Sequence, residues 1–161
     1  MIICKVFPSP VGNLTAAVHD DCLVGLWLEG QKHFGSGYPR LSPGEHPVLD
    51  QTESWLQAYF LGQRPSPRLL PLAPMGSPFQ KAVWEQLLTV PYGETTTYGA
   101  IAKAIGCKSA QAVGNAVGRN PISILIPCHR VVGSDGSLTG YAGGIENKIY
   151  LLELEKRSNS L

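Results

Sequence analysis

The sequence has few charged residues, no long apolar run and no basic, apolar N-terminus. Charged side chains make up 16% of the 161 residues and hydrophobic ones 43%, a composition that is typical of a globular protein and excludes a disordered chain. No apolar run is long enough to span a membrane, and residues 1–10 do not resemble a secretory signal peptide. We therefore expect a soluble cytoplasmic protein that does not associate with membranes.

Paired cysteines are also absent. The chain has four cysteines at irregular spacings, namely Cys4, Cys22, Cys107 and Cys128. None belongs to a CxxC pair, which argues against a disulfide scaffold and against a zinc ribbon. His19 and His33 lie in the same half of the chain as two of these cysteines, but no spacing reproduces a zinc ligand set. We expect neither a metal nor another cofactor.

A strong charge of one sign is lacking too, since the net charge is +1. Residues 1–74 carry five Lys or Arg and six Asp or Glu, whereas residues 75–161 carry eight and six. The second half is therefore mildly basic, which permits nucleic-acid binding but does not require it.

Five prolines between Pro65 and Pro78 divide the chain. Proline at this density excludes both a helix and a central strand, so we interpret the segment as a linker between residues 1–74 and residues 75–161. Hydrophobic patterns in the first part predict a small unit of strands and one helix. Its predicted elements are strands over 2–7, 14–18 and 23–28, a loop over 30–46 and a helix over 47–60.

The second part is predicted to be mainly helical, so the fold class of the chain is α+β. Phe79, Val83, Leu87 and Leu88 share one face of a helix that ends before Pro91. The last helix is predicted over 145–156, with three residues facing inward, namely Ile145, Ile149 and Leu152.

Two short helical segments lie between these helices. A helix over 95–105, a glycine-containing turn at 106–108 and a helix that begins at the cap residue Ser109 follow the helix-turn-helix pattern. The second of them has little side-chain bulk, because its residues include Ala110, Ala112, Gly114, Ala116 and Gly118. Such a helix cannot read base edges in a major groove. Its small residues favour tight packing between helices, and the alternative is close approach to a narrow surface such as a minor groove.

The stretch Pro127-Cys128-His129-Arg130 lies between two apolar runs. The thiolate is the reactive form of cysteine, and adjacent cationic or hydrogen-bonding groups favour it. Nucleophilic attack also needs a base for the thiol proton and a group that orients the base. His129 is the candidate base, directly or through a water. Glu155 is the candidate orienting group, because it shares a helical arc with Leu151 and Leu152, where a carboxylate is costly unless it is paired.

Two further features flank this stretch. Asn120 precedes Pro121 and is placed to organise the turn beneath the cysteine, although Asn before Pro also commonly begins an ordinary turn. The glycine-rich segment 136–144 surrounds Tyr141 and can present backbone N–H groups and an aromatic face to a ligand. An ordinary connecting loop is the alternative, and the residues alone do not decide between the two.

Taken together, the second half of the chain resembles one family. The motifs that carry the resemblance occur in order and at fitting spacings, namely Phe79-Gln80, Pro91-Tyr92-Gly93, Thr97-Tyr98, Ala112-Val113-Gly114, Asn120-Pro121, Ile126-Pro127-Cys128-His129-Arg130-Val131 and Gly140-Tyr141-Ala142-Gly143-Gly144. In this combination they are similar to the O6-alkylguanine-DNA alkyltransferases, the methylated-DNA–protein-cysteine methyltransferases. The resemblance extends from about Ser77 to Glu155. The N-terminal half resembles the family only in outline, as the small α/β domain of ribonuclease H-like fold that precedes the active-site domain.

The resemblance implies a DNA repair protein in which each molecule acts once. Members of this family flip an O6-alkylated guanine out of duplex DNA and transfer the alkyl group irreversibly to a cysteine of their own. The acceptor is then Cys128, with His129 taking the thiol proton through a water and Glu155 orienting His129. Asn120 would hold the active-site turn, and Tyr98 would donate a proton or a hydrogen bond to the departing guanine. The implied partner is double-stranded DNA that contains O6-alkylguanine, bound by a monomer.

The resemblance also reverses the interpretation of the small-residue helix, which in this family enters the minor groove. An arginine near its start fills the space left by the flipped base, and Gln111 stands at that position here. Glutamine lacks the planar guanidinium, so we expect weaker or slower engagement of duplex DNA with the chemistry intact. The residues expected to bind substrate or DNA are Ser109, Gln111, Ala112, Gly114, Arg119, Arg130, Tyr141, Ala142 and Gly143.

Two other functions stay open at this stage. A lesion-sensing protein would recognise alkylguanine and recruit repair factors with little or no transfer, but relatives of that kind lack the cysteine. A thiol hydrolase would use Cys128, His129 and Glu155 and would regenerate the cysteine after each turnover. The sequence does not decide between methyl and larger alkyl groups as substrates.

Overall fold

The computed structural model describes residues 1–159, with side chains described as far as Ser158. The strands of the N-terminal sheet are β1 (Ile2–Phe7), β2 (Leu14–His19), β3 (Cys22–Leu28) and β4 (Leu41–Pro43). Their order is β3-β2-β1-β4, in which β1 to β3 form an antiparallel meander and β4 runs parallel to β1. The loop predicted over 30–46 is therefore wrong at β4. This strand is short and ends in a proline, which is tolerated because β4 is an edge strand. The same two features explain why the sequence pattern did not predict it.

Helix α1 (Pro47–Phe60) has the predicted bounds and packs on the sheet. The backbone N–H of Val48 donates to the His46 imidazole at 3.0 Å, which caps the helix. Leu49 and Tyr59 belong to its buried face. The helix therefore places Tyr59 in the interior of the molecule.

The proline-rich segment packs against β3 and is not a free linker. It contains a 3-10 turn at Pro67–Leu69. The Leu23 N–H then donates to the Pro71 carbonyl at 2.8 Å, and the Ala73 N–H donates to the Leu23 carbonyl at 2.9 Å. A continuous cluster of buried apolar side chains extends from the sheet into the second half of the chain. The division into residues 1–74 and 75–161 stays a prediction, and the two parts share a core.

The rest of the molecule is mainly helical, so the fold is a mixed α+β fold. Its elements are α2 (Pro78–Leu88), β5 (Thr96–Thr97), α3 (Tyr98–Ala104), α4 (Ala110–Gly118), a 3-10 turn (Cys128–Arg130), β6 (Val131–Val132) and α5 (Ile145–Asn159). Helix α3 begins three residues later than predicted, because β5 pairs with β6 and Thr97 caps the helix. Among the described residues, no helix has both the length and the apolar character needed to cross a membrane.

The buried face of α2 differs from the prediction at Phe79 and at Trp84. Phe79 is exposed, and Trp84 joins Val83 and Leu87 in the core. The Trp84 indole N–H donates to the Ala116 carbonyl at 2.9 Å, so the indole ties α2 to α4. An indole is buried here because its N–H finds a partner.

The buried face of α5 was predicted wrongly. Ile145 and Ile149 are 42% and 36% exposed, and Leu152 is half-buried. The residues of α5 that are buried are Lys148, Leu151, Leu154 and Glu155. An apolar pattern does not reveal this face, because two of its four residues are ionisable and depend on hydrogen bonds for their burial.

Candidate active site

The Asn120 side chain holds the turn that leads to the cysteine. It is 2% exposed. Its amide Nδ2 donates to the Ile126 carbonyl at 2.8 Å and to the Ile122 carbonyl at 3.3 Å, and its Oδ1 accepts from the Ile122 N–H at 3.0 Å. Within this turn Ile124 has φ +71°, a conformation that β-branched residues rarely adopt. Asn120 therefore stabilises a strained loop of backbone directly before Cys128.

The same turn is bound to the N-terminal sheet. The Leu26 N–H donates to the Pro121 carbonyl at 2.8 Å, and the Ser123 N–H donates to the Leu26 carbonyl at 2.9 Å. Strand β3 thus continues its hydrogen bonding into the active-site turn. Movement of the turn would break these bonds, so the sheet helps to fix the position of the cysteine.

Cys128 opens the 3-10 turn and is 5% exposed. Burial raises the pKa of its thiol, although hydrogen bonding from Asn120 and Tyr141 and the charge of Lys148 oppose that shift. The resting thiol is therefore protonated near neutral pH. A nucleophile of this kind needs a base that removes the proton during the reaction.

His129 is fully buried, and its Nε2 lies 2.6 Å from Glu155 Oε2. Since a carboxylate accepts, Nε2 carries the proton and Nδ1 is left with a free lone pair. Nδ1 is buried and has no hydrogen-bond partner among the described residues. Burial lowers the pKa of His129, although Glu155 acts in the opposite direction. The ring is neutral, and Nδ1 is available as a base.

Glu155 is the centre of a dense set of hydrogen bonds. Its Oε1 accepts from Arg130 Nε at 2.7 Å and from the Gly93 N–H at 3.2 Å. Its Oε2 accepts from His129, from the Tyr59 hydroxyl at 2.5 Å and from a second guanidinium nitrogen of Arg130 at 3.1 Å. Burial alone would raise the pKa of Glu155, but His129 and Arg130 reverse the effect and hold it well below its usual range. The carboxylate is ionised and firmly oriented.

The placement of Arg130 corrects a prediction. Arg130 was predicted to contact substrate or DNA, yet it is 8% exposed. Its guanidinium contacts both oxygens of Glu155 and donates to the Val90 carbonyl at 2.8 Å. A carboxylate buried this deeply requires a paired cation, so Arg130 is committed to Glu155 and does not face DNA.

Tyr98 and Tyr141 are the two tyrosines predicted for the site, and the Tyr141 ring lies edge-on to His129 with centroids 6.5 Å apart. The Tyr98 hydroxyl is 2.7 Å from Thr139 Oγ1. The Tyr141 hydroxyl is buried within interaction range of the Cys128 thiol and Ser123, without a hydrogen bond of ordinary geometry to any described residue. Burial and the neighbouring thiol raise the pKa of Tyr141 well above its usual value, so the hydroxyl stays a donor.

Lys148 ties the loop with Tyr141 to the rest of the site. It is 1% exposed, and its ammonium donates to the Val131 carbonyl at 2.6 Å and to both oxygens of Thr139 at 3.3 Å. Burial lowers the pKa of Lys148. The Lys148 side chain thus links α5, β6 and the segment before Tyr141.

The turn after β3, which belongs to the N-terminal part, also supports the loop that contains Tyr141. Gln31 Oε1 accepts from the Leu28 N–H at 2.9 Å and from the Ser123 hydroxyl at 3.0 Å. The Lys32 N–H donates to the Ala142 carbonyl at 2.9 Å. A Cβ on Gly143 would lie 2.8 Å from the Tyr141 ring and 3.1 Å from Leu28, so the loop passes this turn at close range.

The predicted DNA-binding residues of α4 lie partly at the surface. Ser109 is exposed and accepts a hydrogen bond from the Ala112 N–H at 3.1 Å, which caps the helix. Gln111 is exposed near the start of α4, and Arg119 is exposed directly after its end. Gly114 lies against the Tyr98 ring, 3.8 Å from the position of a Cβ. The helix therefore presents Gln111 to solvent while its small residues bring it close to Tyr98.

Three residues near the site were missed by the sequence analysis. Tyr59 and Gln31 come from the N-terminal part, and no local signal marks them, because their partners lie 96 and 92 positions away. Lys148 lies seven positions before Glu155, which places it on the same face of α5. That spacing was the available signal.

The chain matches known proteins in sequence. Residues 78–157 match the family described as 6-O-methylguanine DNA methyltransferase, DNA binding domain. The methylated-DNA–protein-cysteine methyltransferase of Mycobacterium leprae is 44% identical over 157 residues, which cover 97% of this chain and 93% of that protein. The protein of the same name from Methanosarcina acetivorans is 43% identical over 152 residues, covering 93% and 96%.

Solved structures agree with these relatives. The structure of Mycobacterium tuberculosis OGT in complex with DNA has a TM-score of 0.86 and 42% identity, covering 97% of this chain and 94% of that one. The O6-methylguanine-DNA methyltransferase of Pyrococcus kodakaraensis has a TM-score of 0.72 and 29% identity, covering 96% and 99%. Similarity of this extent, along nearly the whole of each chain, means that the chain belongs to the methylated-DNA–protein-cysteine methyltransferase family.

Proposed function

We propose that this protein flips O6-alkylguanine, mainly O6-methylguanine, out of duplex DNA and transfers the alkyl group irreversibly to Cys128. The observation that carries the proposal is the arrangement of three buried residues. His129, adjacent to Cys128 in the 3-10 turn, directs Nε2–H to Glu155 and keeps Nδ1 buried without a partner among the described residues, and the thiol of Cys128 is protonated. Family membership supports the reaction, and this geometry is consistent with the role proposed for each residue.

The reaction begins with the thiol proton. A water bridges the thiol to His129 Nδ1 and carries the proton to the ring, while Glu155 stabilises the imidazolium that forms. The Cys128 sulfur then attacks the alkyl carbon with its electron pair. The bond between that carbon and O6 breaks, and its electron pair stays on the guanine. The protein ends as a thioether, which no group in this site reverses.

The departing guanine needs stabilisation of its negative charge. Tyr98 supplies a proton or a hydrogen bond to the ring, and its hydroxyl is held in place 2.7 Å from Thr139 Oγ1. Tyr141, Ala142 and Gly143 form the wall of the base pocket. The turn of Asn120 holds the sulfur in position.

DNA binding is assigned to α3 and α4, which we interpret as a helix-turn-helix with α4 in the minor groove. Ser109, Ala112, Gly114 and Arg119 lie along the contacting face, and Gln111 stands in the space of the extruded base. The strand order β3-β2-β1-β4 supports a reduced ribonuclease H-like sheet in the N-terminal part. The four free cysteines fit a reducing compartment such as the cytoplasm, and we expect a monomer.

Intact-mass measurement tests the proposal. The protein is mixed with a duplex containing one O6-methylguanine, and we expect a stable gain of one methyl group per molecule. Cys128→Ser should bind the duplex and gain nothing. Wild-type protein that binds without gaining mass would instead indicate a lesion sensor. Hydrolysis of a thioester with repeated turnover would indicate a thiol hydrolase.

A further inference from the structure

Tyr59 reaches the catalytic residues from outside the part of the chain that contains them. It lies in α1, before residues 78–157, which match the family description. Its side chain is 1% exposed, and its ring stacks on Trp55 with centroids 5.6 Å apart and touches Tyr92 edge-on at 5.9 Å. The hydroxyl donates to Glu155 Oε2 at 2.5 Å. The ring is therefore locked by packing, and the hydroxyl has one defined direction.

The atom that accepts this hydrogen bond is the atom that orients the base. Glu155 Oε2 also accepts from His129 Nε2 at 2.6 Å. Hydrogen bonds to an ionised group are strong, and donors that share one oxygen each reduce its negative charge toward the others. The Tyr59 hydroxyl thus weakens the pull of Oε2 on the imidazole proton.

We propose that Tyr59 is a positioning residue of the transfer reaction, which fixes Glu155 Oε2 against His129 and, by sharing the charge of that oxygen, keeps the imidazole neutral so that Nδ1 can accept the thiol proton. This inference rests on the proposed function, in which His129 is the base. It makes the N-terminal part a contributor to catalysis as well as to the core.

The other ionisable groups around His129 support this assignment. The described groups that face it are Glu155 and Lys148 from α5, Cys128 and Arg130 from the 3-10 turn, Tyr141 from the following loop and Tyr59 from α1. Arg130 and Lys148 disfavour protonation of the ring, and Glu155 favours it. Tyr59 acts on the group that favours protonation. Burial and Glu155 raise the pKa of Tyr59 well above its usual value, so it remains a donor throughout the working pH range.

The test compares Tyr59→Phe with Tyr92→Phe. Both changes remove one buried phenol oxygen from the same aromatic cluster, but the Tyr92 hydroxyl has no hydrogen-bond partner among the described residues. The single-turnover rate of methyl transfer from a duplex with O6-methylguanine is measured against pH. Without the Tyr59 hydroxyl, Oε2 pulls harder on the proton and the pKa of His129 rises, so the acid limb should move up by about 0.5–1 pH unit. Tyr92→Phe should leave the limb in place.

Two results would overturn the inference. One is a pH profile of Tyr59→Phe in which the acid limb stays at the wild-type pH, even if the transfer rate is lower. A purely structural role would produce this result, because it lowers the rate equally at every pH. The other is an equal shift of the acid limb in Tyr92→Phe.

If Tyr59→Phe does not fold, 3-fluorotyrosine at position 59 is the second variant. It keeps the shape of the side chain and strengthens the hydroxyl as a donor, so the acid limb should move to lower pH. An acid limb that does not move would contradict the proposal. Failure of the wild type to gain a methyl group would instead overturn the proposed function.

Discussion

At the level of single residues, Glu155 holds several polar groups of the site in place. It receives hydrogen bonds from a histidine, an arginine, a tyrosine and a backbone N–H, and it is 1% exposed. A buried carboxylate with this many donors keeps its charge and holds each donor in place. The orientation of His129 is therefore set by Glu155, while Arg130 supplies the compensating charge.

Glu155→Gln should reduce both stability and transfer. Removing the charge leaves the Arg130 guanidinium buried without its partner, which costs about 3 kcal/mol in the free energy of unfolding. The pKa of Glu155 is depressed in the folded state, so its contribution is complete above the unfolded pKa of about 4.3 and is lost as pH falls through the lower folded value. Urea unfolding is measured from pH 7 to pH 3. The difference in the free energy of unfolding between Glu155→Gln and the wild type should become smaller below about pH 4. A gap that is constant with pH would contradict this account.

Gln111 stands where the resemblance to the family implies an arginine. Gln111→Arg should raise the rate of methyl transfer from duplex DNA about three- to tenfold, because a planar guanidinium stacks and forms charge-assisted hydrogen bonds. The transfer rate from free O6-methylguanine base should not change. Gln111→Lys is the matched control, since it adds the charge without the planar group. No gain with arginine would contradict the role assigned to this position.

At the level of elements, the short helix α4 combines a good cap with small side chains. Ser109 caps its first turn, and Gly114 lies against Tyr98. A nine-residue helix of this composition depends on its cap and on its packing against neighbours. The helix that we assign to the minor groove is thus positioned by its cap residue Ser109 and by the Tyr98 ring that packs against it.

Substitutions at Ser109 separate the cap from the DNA contact. Ser109→Ala should lower the free energy of unfolding by about 1 kcal/mol, because the Ala112 N–H loses its acceptor. Ser109→Asp keeps the cap and should keep the stability, but its charge repels phosphate, so the affinity for duplex DNA should fall. Thermal unfolding and a DNA titration measure the two effects. Unchanged affinity in the aspartate variant would place Ser109 away from the DNA.

The elements also show what a sequence can reveal. The strands β1 to β3 and helix α1 were predicted nearly to their bounds, because alternation and helical periodicity are local signals. The stretch around Cys128 was recognised from the residues that flank the cysteine, whereas the role of Asn120 was implied by the family resemblance. Glu155 was recognised from its position on an apolar arc of α5, but Lys148 was missed, because its burial depends on partners on other elements. Tyr59 and Gln31 were missed because hydrogen bonds across more than 90 positions leave no local pattern.

At the level of the whole molecule, the two halves meet at the reactive cysteine. Strand β3 binds the Asn120 turn, Gln31 supports Ser123, and Tyr59 contacts Glu155. The apolar core is continuous across both halves. A disturbance at Cys128 is therefore transmitted to the N-terminal sheet as well as to the helices.

This arrangement predicts that the alkylated protein is less stable than the unmodified one. A methyl group on the Cys128 sulfur adds a carbon where the side chain is only 5% exposed, and overpacking of a filled core costs about 1–3 kcal/mol. The melting temperature should fall by roughly 2–12 °C after reaction with a duplex containing O6-methylguanine and removal of the DNA. Protein treated with the unmodified duplex, and Cys128→Ser treated with the methylated one, should keep their melting temperatures. An unchanged melting temperature of the methylated wild type would mean that the site has room for the methyl group. It would also mean that methylation does not destabilise the shared core.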